Sequence, residues 1–377
     1  MTQALQGQGY EKATVLYMAL ELSKQTWKVC FGDGARRRMV TVGAGDRSAL
    51  LTALAKAKAK FGLAGDVRVV SGYEAGRDGF WIHRWLVSEG IDNRVMDASS
   101  IEVPRQRRWA KTDRIDVGKL LELLLGEGRG ERGRYRQVRV PSEADEAARR
   151  LHRERETLLA ERGRYRNRLS GLLATHGIVA RITRGFGERL RQLTDWRGER
   201  LSAAWLSEFE RLWQRLTLVD EQLQAIEREQ AEVLRHEQHR TAEQMRQLRA
   251  LKGLDVQIPW TLVHELFGWR QLRNGREVGA LAGLTPTPFR SGELRRELGI
   301  SKRGVARVRR VAVELAWLWV RYQPDSALSR WFEARFAHGG SRQRRVGIVA
   351  LARKLLIALW RYLETGVLPE GALVKAG

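Results

Sequence analysis

Apolar and polar positions along the first 128 residues alternate between two rhythms. Short apolar runs at 13–22 (ATVLYMALEL) and 26–32 (TWKVCFG) have the length of buried strands, and Asp33-Gly34 marks a turn into a third, 37–43 (RRMVTVG). Positions 46–62 switch to helical spacing, with Asp46 as cap and Gly62 as stop. A strand at 67–72, a helix over 77–89 and a strand at 91–97 follow. The basic stretch RQRRWAKT then opens into a helix, DRIDVGKLLELLLGEG. Residues 127–141 (EGRGERGRYRQVRVP) are rich in Gly and Arg and read as an exposed basic linker.

Beyond that linker the pattern is helical. Leu151, Leu158, Tyr165, Leu172 and Val179 recur every seven residues, and Leu212, Leu216, Val219, Leu223, Ile226 and Val233 recur at helical intervals. Such a seam predicts a coiled coil, as an antiparallel hairpin or a dimer contact. A third region, about 245–364, is interrupted by a Gly- and Pro-containing loop, GLTPTPFRSGELRRELGISKRG. Leu315, Trp317, Trp319 and Val320 read there as core. Leu251–Asp255 reads as a tight helical hairpin, either a plain connection or a set of backbone N–H groups for a phosphate. The fold class is therefore α/β followed by all-α, in three domains: 1–128, 142–244 and 245–377.

Charge changes the picture more than composition does. Lys and Arg number 68 against 44 Asp and Glu, a net charge of +24 and a pI near 11.0. That field favours polyanions, and nucleic acid is the commonest of these. A ribosome-associated or basic membrane-surface protein is the blander alternative. Cys30 is the only cysteine, which excludes disulfides and thiolate zinc sites. The polar start lacks a signal peptide and no run reaches transmembrane length, so a cytoplasmic protein with no membrane contact is expected.

Candidate chemistry begins with carboxylates. The strand and helix order is that of a ribonuclease-H-like domain, in which the first and fourth strands are neighbours. Glu21, ending the first strand, and Glu74, just past the fourth, would then share an edge. Asp113 and Asp116, three apart at a helix start, share one face. Clustered carboxylates repel unless a cation sits between them, and hard oxygen donors select Mg²⁺ or Mn²⁺. Read singly, Asp113 is equally a helix cap and Glu21 a surface charge. Ser291, in Phe289-Arg290-Ser291-Gly292, reads locally as a turn or cap residue or as a nucleophile beside Arg290, Arg295 and Arg296. Lys302, Arg303 and Arg307 suit phosphate contacts, as do Arg107, Arg108 and Lys111, with Trp109 placed to stack on a base.

The segments ALELSK (19–24), YEAGRDG (73–79), AKTDRID (110–116) and AGLTPTPFRSG (282–292) together resemble the DEDD transposases of one bacterial insertion-sequence family. These are RNA-guided "bridge" recombinases related to pilin-gene invertases. The resemblance covers nearly the whole chain and implies a RuvC-like domain, a coiled-coil middle and a C-terminal transposase domain. It implies that Glu21, Glu74, Asp113 and Asp116 hold Mg²⁺ and that Ser291 attacks a DNA phosphate and stays linked to it. It also implies a dimer or tetramer on the nucleoid, working with a structured guide (bridge) RNA that pairs with DNA. Two positions depart from the family pattern: Glu21 stands where an aspartate is usual, and Lys252-Gly253-Leu254-Asp255 replaces Pro-Gly-Ile-Gly. Without the serine chemistry, the same acids describe a metal-dependent, junction-resolvase-like nuclease. Without metal, they belong to a non-catalytic nucleic-acid-binding protein.

Overall fold

A computed structural model describes residues 15–101, 113–291 and 294–375, and the chain divides into two compact units, 1–140 and 141–377. In the first, five strands are formed by Val15–Leu22 (β1), Thr26–Gly32 (β2), Arg37–Gly43 (β3), Arg68–Glu74 (β4) and Asp92–Met96 (β5). They make one sheet in the order β3-β2-β1-β4-β5. The first three strands form an antiparallel meander, and β4 and β5 join parallel to β1. Helices Arg47–Lys60 (α1), Trp81–Ser88 (α2) and Asp113–Gly128 (α3) complete the unit.

The near-continuous apolar run of β1 follows from its position, because a strand covered on both faces cannot alternate with polar residues. Leu16, Met18 and Leu20 pack with residues of α1 and α2, whereas Tyr17 and Ala19 face Val117, Leu120, Leu121 and Leu124 of α3. Asp46 caps α1 by accepting from the Ala49 N–H, and Gly62, at φ +64°, ends the turn beyond it. Residues 127–141 are not a free linker. Val138 N–H donates to Val95 O and Asp97 N–H to Arg136 O, so the segment runs back along the open edge of β5. Tyr135 and Val138 pack against the cores on either face, an apolar use hidden among the arginines.

The second unit is helical. After the short Glu143–Ala148 (α4), Arg150–Thr175 (α5) and Ala203–His236 (α7) flank Phe186–Leu190 (α6). Arg155–Glu227, Arg162–Asp220 and Arg168–Glu208 pairs show that α5 and α7 run antiparallel. Much of the arginine excess of α5 is thus matched by acids of α7. The buried seam of α7 is Phe209, Leu212, Leu216, Val219, Leu223, Ile226, Gln230 and Leu234. That of α5 keeps the seven-residue spacing through Leu151, Leu158, Tyr165 and Leu172, the last two partly buried, and adds the buried Leu169 and Leu173. Val179 is fully exposed because α5 has already ended, and Val233 is partly buried against the core beside the more deeply buried Leu234.

Arg240–Ala250 (α8), Gln257–Leu262 (α9), Gly275–Leu281 (α10), Ala306–Tyr322 (α11), Ala327–Phe332 (α12) and Ser341–Thr365 (α13) surround a core that includes Trp260, Trp319 and Phe332. Trp319 and Leu315 are core as expected, but Trp317 is exposed, lying on the opposite side of α11. Leu251–Asp255 is a plain connection. Its Lys252 N–H donates to Leu373 O, and the Gln323 side chain donates to both Lys252 O and Leu373 O. The Gly- and Pro-containing segment between α10 and α11 is an antiparallel ribbon, Pro286–Ser291 (β6) against Leu294–Ile300 (β7), where a loop was expected.

Candidate active site

The register of β1 against β4 places Leu20 opposite Tyr73, so Glu21 and Glu74 are the next residues along two adjacent strands. Strand alternation sends both toward the face shared by Ala19, which α3 covers. Asp116 lies one helical turn before Leu120, a core residue of α3. Glu21, Glu74 and Asp116 accordingly line one cleft of about 370 Å³. Glu21 also faces Lys28 across the β1–β2 ladder, and Lys119 Nζ lies 3.3 Å from Asp116. Asp113 opens α3 three residues earlier; its side chain lies outside the described set.

Two residues of the cleft escaped the sequence reading. Arg77 and Asp78 line it beside the expected acids and pair with each other at 3.1 Å. Tyr73 Oη donates to Gly79 O at 3.1 Å, fixing the loop that carries them. The signal was present in YEAGRDG, where an adjacent cation and acid follow Glu74, but spacing alone does not reveal that the loop folds back over the strand end.

In donor chemistry alone these acids suit a divalent ion, and three of the carboxylates line one cleft at the ends of two neighbouring strands and a helix. Among the described residues, no three His, Cys, Asp or Glu side chains converge closely enough to hold one.

Arg107, Arg108, Trp109 and Lys111 lie outside the described residues. The backbone of Ser291 ends β6 opposite Leu294, with Arg290 opposite Arg295 and Phe289 opposite Arg296. Arg295 and Arg296 therefore belong to a strand, not to a helix. Lys302 and Arg303 are exposed in the turn before α11. Arg307 instead pairs with Glu156, and its guanidinium lies 3.7 Å from Glu265.

Glu265 is the centre of a buried cluster that the sequence did not announce. It sits in a π-helical turn, Val263–Phe267, that continues α9. His152 meets it at 2.9 Å, and Arg153 makes two bonds of 2.8 and 2.9 Å. Burial alone would raise the Glu265 carboxyl, but hydrogen bonds from His152 and Arg153 outweigh it and hold the group well below the usual carboxylate range. Burial, reinforced by His152, pulls the adjacent His264 down to about 4.

An acidic cleft at the ends of two inner strands of a mixed sheet, in a chain of net charge +24, suits the class of enzymes that process DNA. Residues 20–178 match a family model described as "Transposase", and residues 245–353 match the "Transposase IS116/IS110/IS902 family" model. A Sinorhizobium fredii protein named "Putative transposase y4rJ" is 38% identical, covering 96% of this chain and 94% of its own length. The "Transposase for insertion sequence element IS1533" of Leptospira borgpetersenii is 28% identical over 76% of this chain and 79% of its own. The chain belongs to the IS116/IS110/IS902 family of insertion-sequence transposases. No helix among the described residues is long and apolar enough to cross a membrane.

Proposed function

We propose that this transposase exchanges DNA strands through a covalent serine link, with Ser291 as nucleophile and Glu21, Glu74, Asp113 and Asp116 as the holders of Mg²⁺ or Mn²⁺. The observation that supports the metal half of the reading is the cleft that Glu21, Glu74 and Asp116 all line, from segments separated by more than 40 residues at each step. Its support for a ribonuclease-H-like (RuvC-like) domain over 1–128 is the strand order, a meander followed by two parallel additions. Residues 142–244 form the coiled-coil region and 245–377 the transposase domain that presents the serine.

The bound ion supplies charge neutralisation at the phosphate. The chain's own residues do the rest. The Ser291 hydroxyl attacks phosphorus, a serine–phosphate ester forms, and the bond from phosphorus to the leaving sugar oxygen breaks. The serine proton goes to solvent, and the leaving oxygen takes one up. The phosphodiester energy stays in the link, so a second sugar hydroxyl can reverse the step on a new partner strand. Lys302, Arg303 and the arginines noted on sequence other than Arg307, which pairs with Glu156, hold backbone phosphates. Target choice rests with a bridge RNA, and the assembly is a dimer or tetramer on the cytoplasmic nucleoid.

A second reading, a nuclease in which water attacks, is favoured by the fact that the acidic cleft needs no residue of the helical unit. Incubation with donor and target DNA, the guide RNA and Mg²⁺, followed by denaturing electrophoresis, separates the two. Protein joined to DNA in the wild type, lost in Ser291→Ala, supports strand exchange. Free cleaved ends that persist in Ser291→Ala leave only the nuclease.

A further inference from the structure

The base of the β6–β7 ribbon and α13 enclose a groove of about 1010 Å³. Its floor is apolar, formed by Leu284, Val346, Val349 and Ile357, with Trp331 at one wall. Its remaining charge is of one sign: Lys302, Arg342, Arg345, Arg353 and Lys354 line it, and no acid does among the described residues. The Lys354 ammonium lies 4.7 Å from the Trp331 ring centroid. An aliphatic surface this deep, left open among cations, is costly to keep in water unless something covers it.

Lys302 adds an independent observation. Its φ of +55° is the left-handed conformation that glycine adopts freely and lysine seldom does, and it is the only non-glycine with positive φ among the described residues. The turn is held there by Lys302 N–H donating to Gly283 O at 3.1 Å and by Arg309 donating to Lys302 O at 3.0 Å. The ammonium is thus placed at the groove by a rigid, strained turn.

We infer that this groove binds single-stranded DNA, with an unstacked base on the apolar floor and its flanking phosphates on Lys302, Arg342 and Arg345. Charge complementarity selects a polyanion, and the floor selects one whose bases are open; a duplex presents phosphates but keeps its base faces stacked. DNA is the source because the groove wall includes Pro286 and Ile300, paired at the base of the ribbon whose other end carries Ser291. Five residues of strand set the two apart by about 17 Å. The groove therefore holds the strand a few nucleotides from the scissile phosphate. The choice of DNA and its distance from the scissile phosphate rest on the strand-exchange reading; the preference for an open single strand does not.

The test is fluorescence anisotropy of the full chain with labelled oligo-dT, a blunt duplex and oligo-U, in EDTA and in a Ser291→Ala background so that cleavage plays no part. Val346→Glu, at a side chain 58% exposed, and Arg342→Ala/Arg345→Ala are each expected to weaken oligo-dT about tenfold and the duplex less than twofold. Lys302→Gly, which fits the left-handed backbone, serves as the variant least able to misfold and should weaken oligo-dT severalfold. Iododeoxyuridine crosslinks should map to residues 327–357. Equal losses for duplex and single strand, no loss, or a loss confined to oligo-U would each overturn the inference. Covalent DNA linkage is scored separately, so loss of the serine chemistry with groove binding intact sinks only the mechanism proposed above.

Discussion

Replacing Glu265 with glutamine keeps the side chain's shape but removes the one negative charge that His152, Arg153 and Arg307 converge on. The Glu265 and His152 side chains are both about 3% exposed, so water cannot substitute for the lost partner, whereas Arg153, 42% exposed, regains hydration. Breaking a wholly buried pair costs about 3–5 kcal/mol. Retention of one amide acceptor and the exposure of Arg153 place this change near the bottom of that range, about 3 kcal/mol. For a unit spanning residues 141–377, this lowers the melting temperature by about 6–12 °C. The assay is differential scanning calorimetry, in which the transition of the first unit should not move. Glu210→Gln, which breaks only an exposed pair with Arg191, is the control and should shift melting by less than about 2 °C. A Glu265→Gln shift no larger than the control's would refute the view that this cluster holds α5 to the turn after α9.

The same cluster makes the helical unit acid-sensitive. His264 falls from an ordinary value near 6.5 to about 4 when folded, so the unfolded chain binds more protons between those limits. Its contribution, about 3 kcal/mol, is complete above pH 6.5 and disappears as pH falls to 4; Glu265, whose carboxyl is depressed on folding, extends the loss to lower pH. Urea unfolding between pH 7 and 4 should show this, and a flat profile contradicts it. In the first unit, Gly72→Ala puts a methyl 2.7 Å from Met96 Cε, 3.1 Å from Leu124 and 3.3 Å from Arg94 O, and should cost about 1–3 kcal/mol by thermal melting. Asp116→Asn alters a partly exposed group whose cation partner is Lys119, so melting should hold within about 2 °C while strand cleavage on a denaturing gel disappears.

The sheet was legible because its strands are short apolar runs bounded by turn residues, and the parallel step from β1 to β4 follows from the helix between them. That order alone brings Glu21 and Glu74 to the same end of two neighbouring strands. The ribbon β6–β7 was hidden because its prolines and glycines are the residues of loops, and no apolar alternation marks it. The seam of α5 fails only at Val179, because a period of seven runs past a helix end at Thr175 that no proline announces. Arg77 and Asp78 were missed because their place in the cleft depends on a loop closure, held by Tyr73, that no local pattern encodes. Glu265 is one acid among many in sequence, and only burial distinguishes it.

The central claim is that Ser291 carries the DNA between breakage and joining. Trapping the reaction on a target whose leaving strand cannot rejoin, digesting with nuclease and protease, and sequencing the peptides by mass spectrometry tests it directly. The account predicts a nucleotide phosphoester on the peptide containing Ser291, absent after Asp116→Asn. An adduct on another residue, or cleaved DNA with no adduct at all, would contradict it.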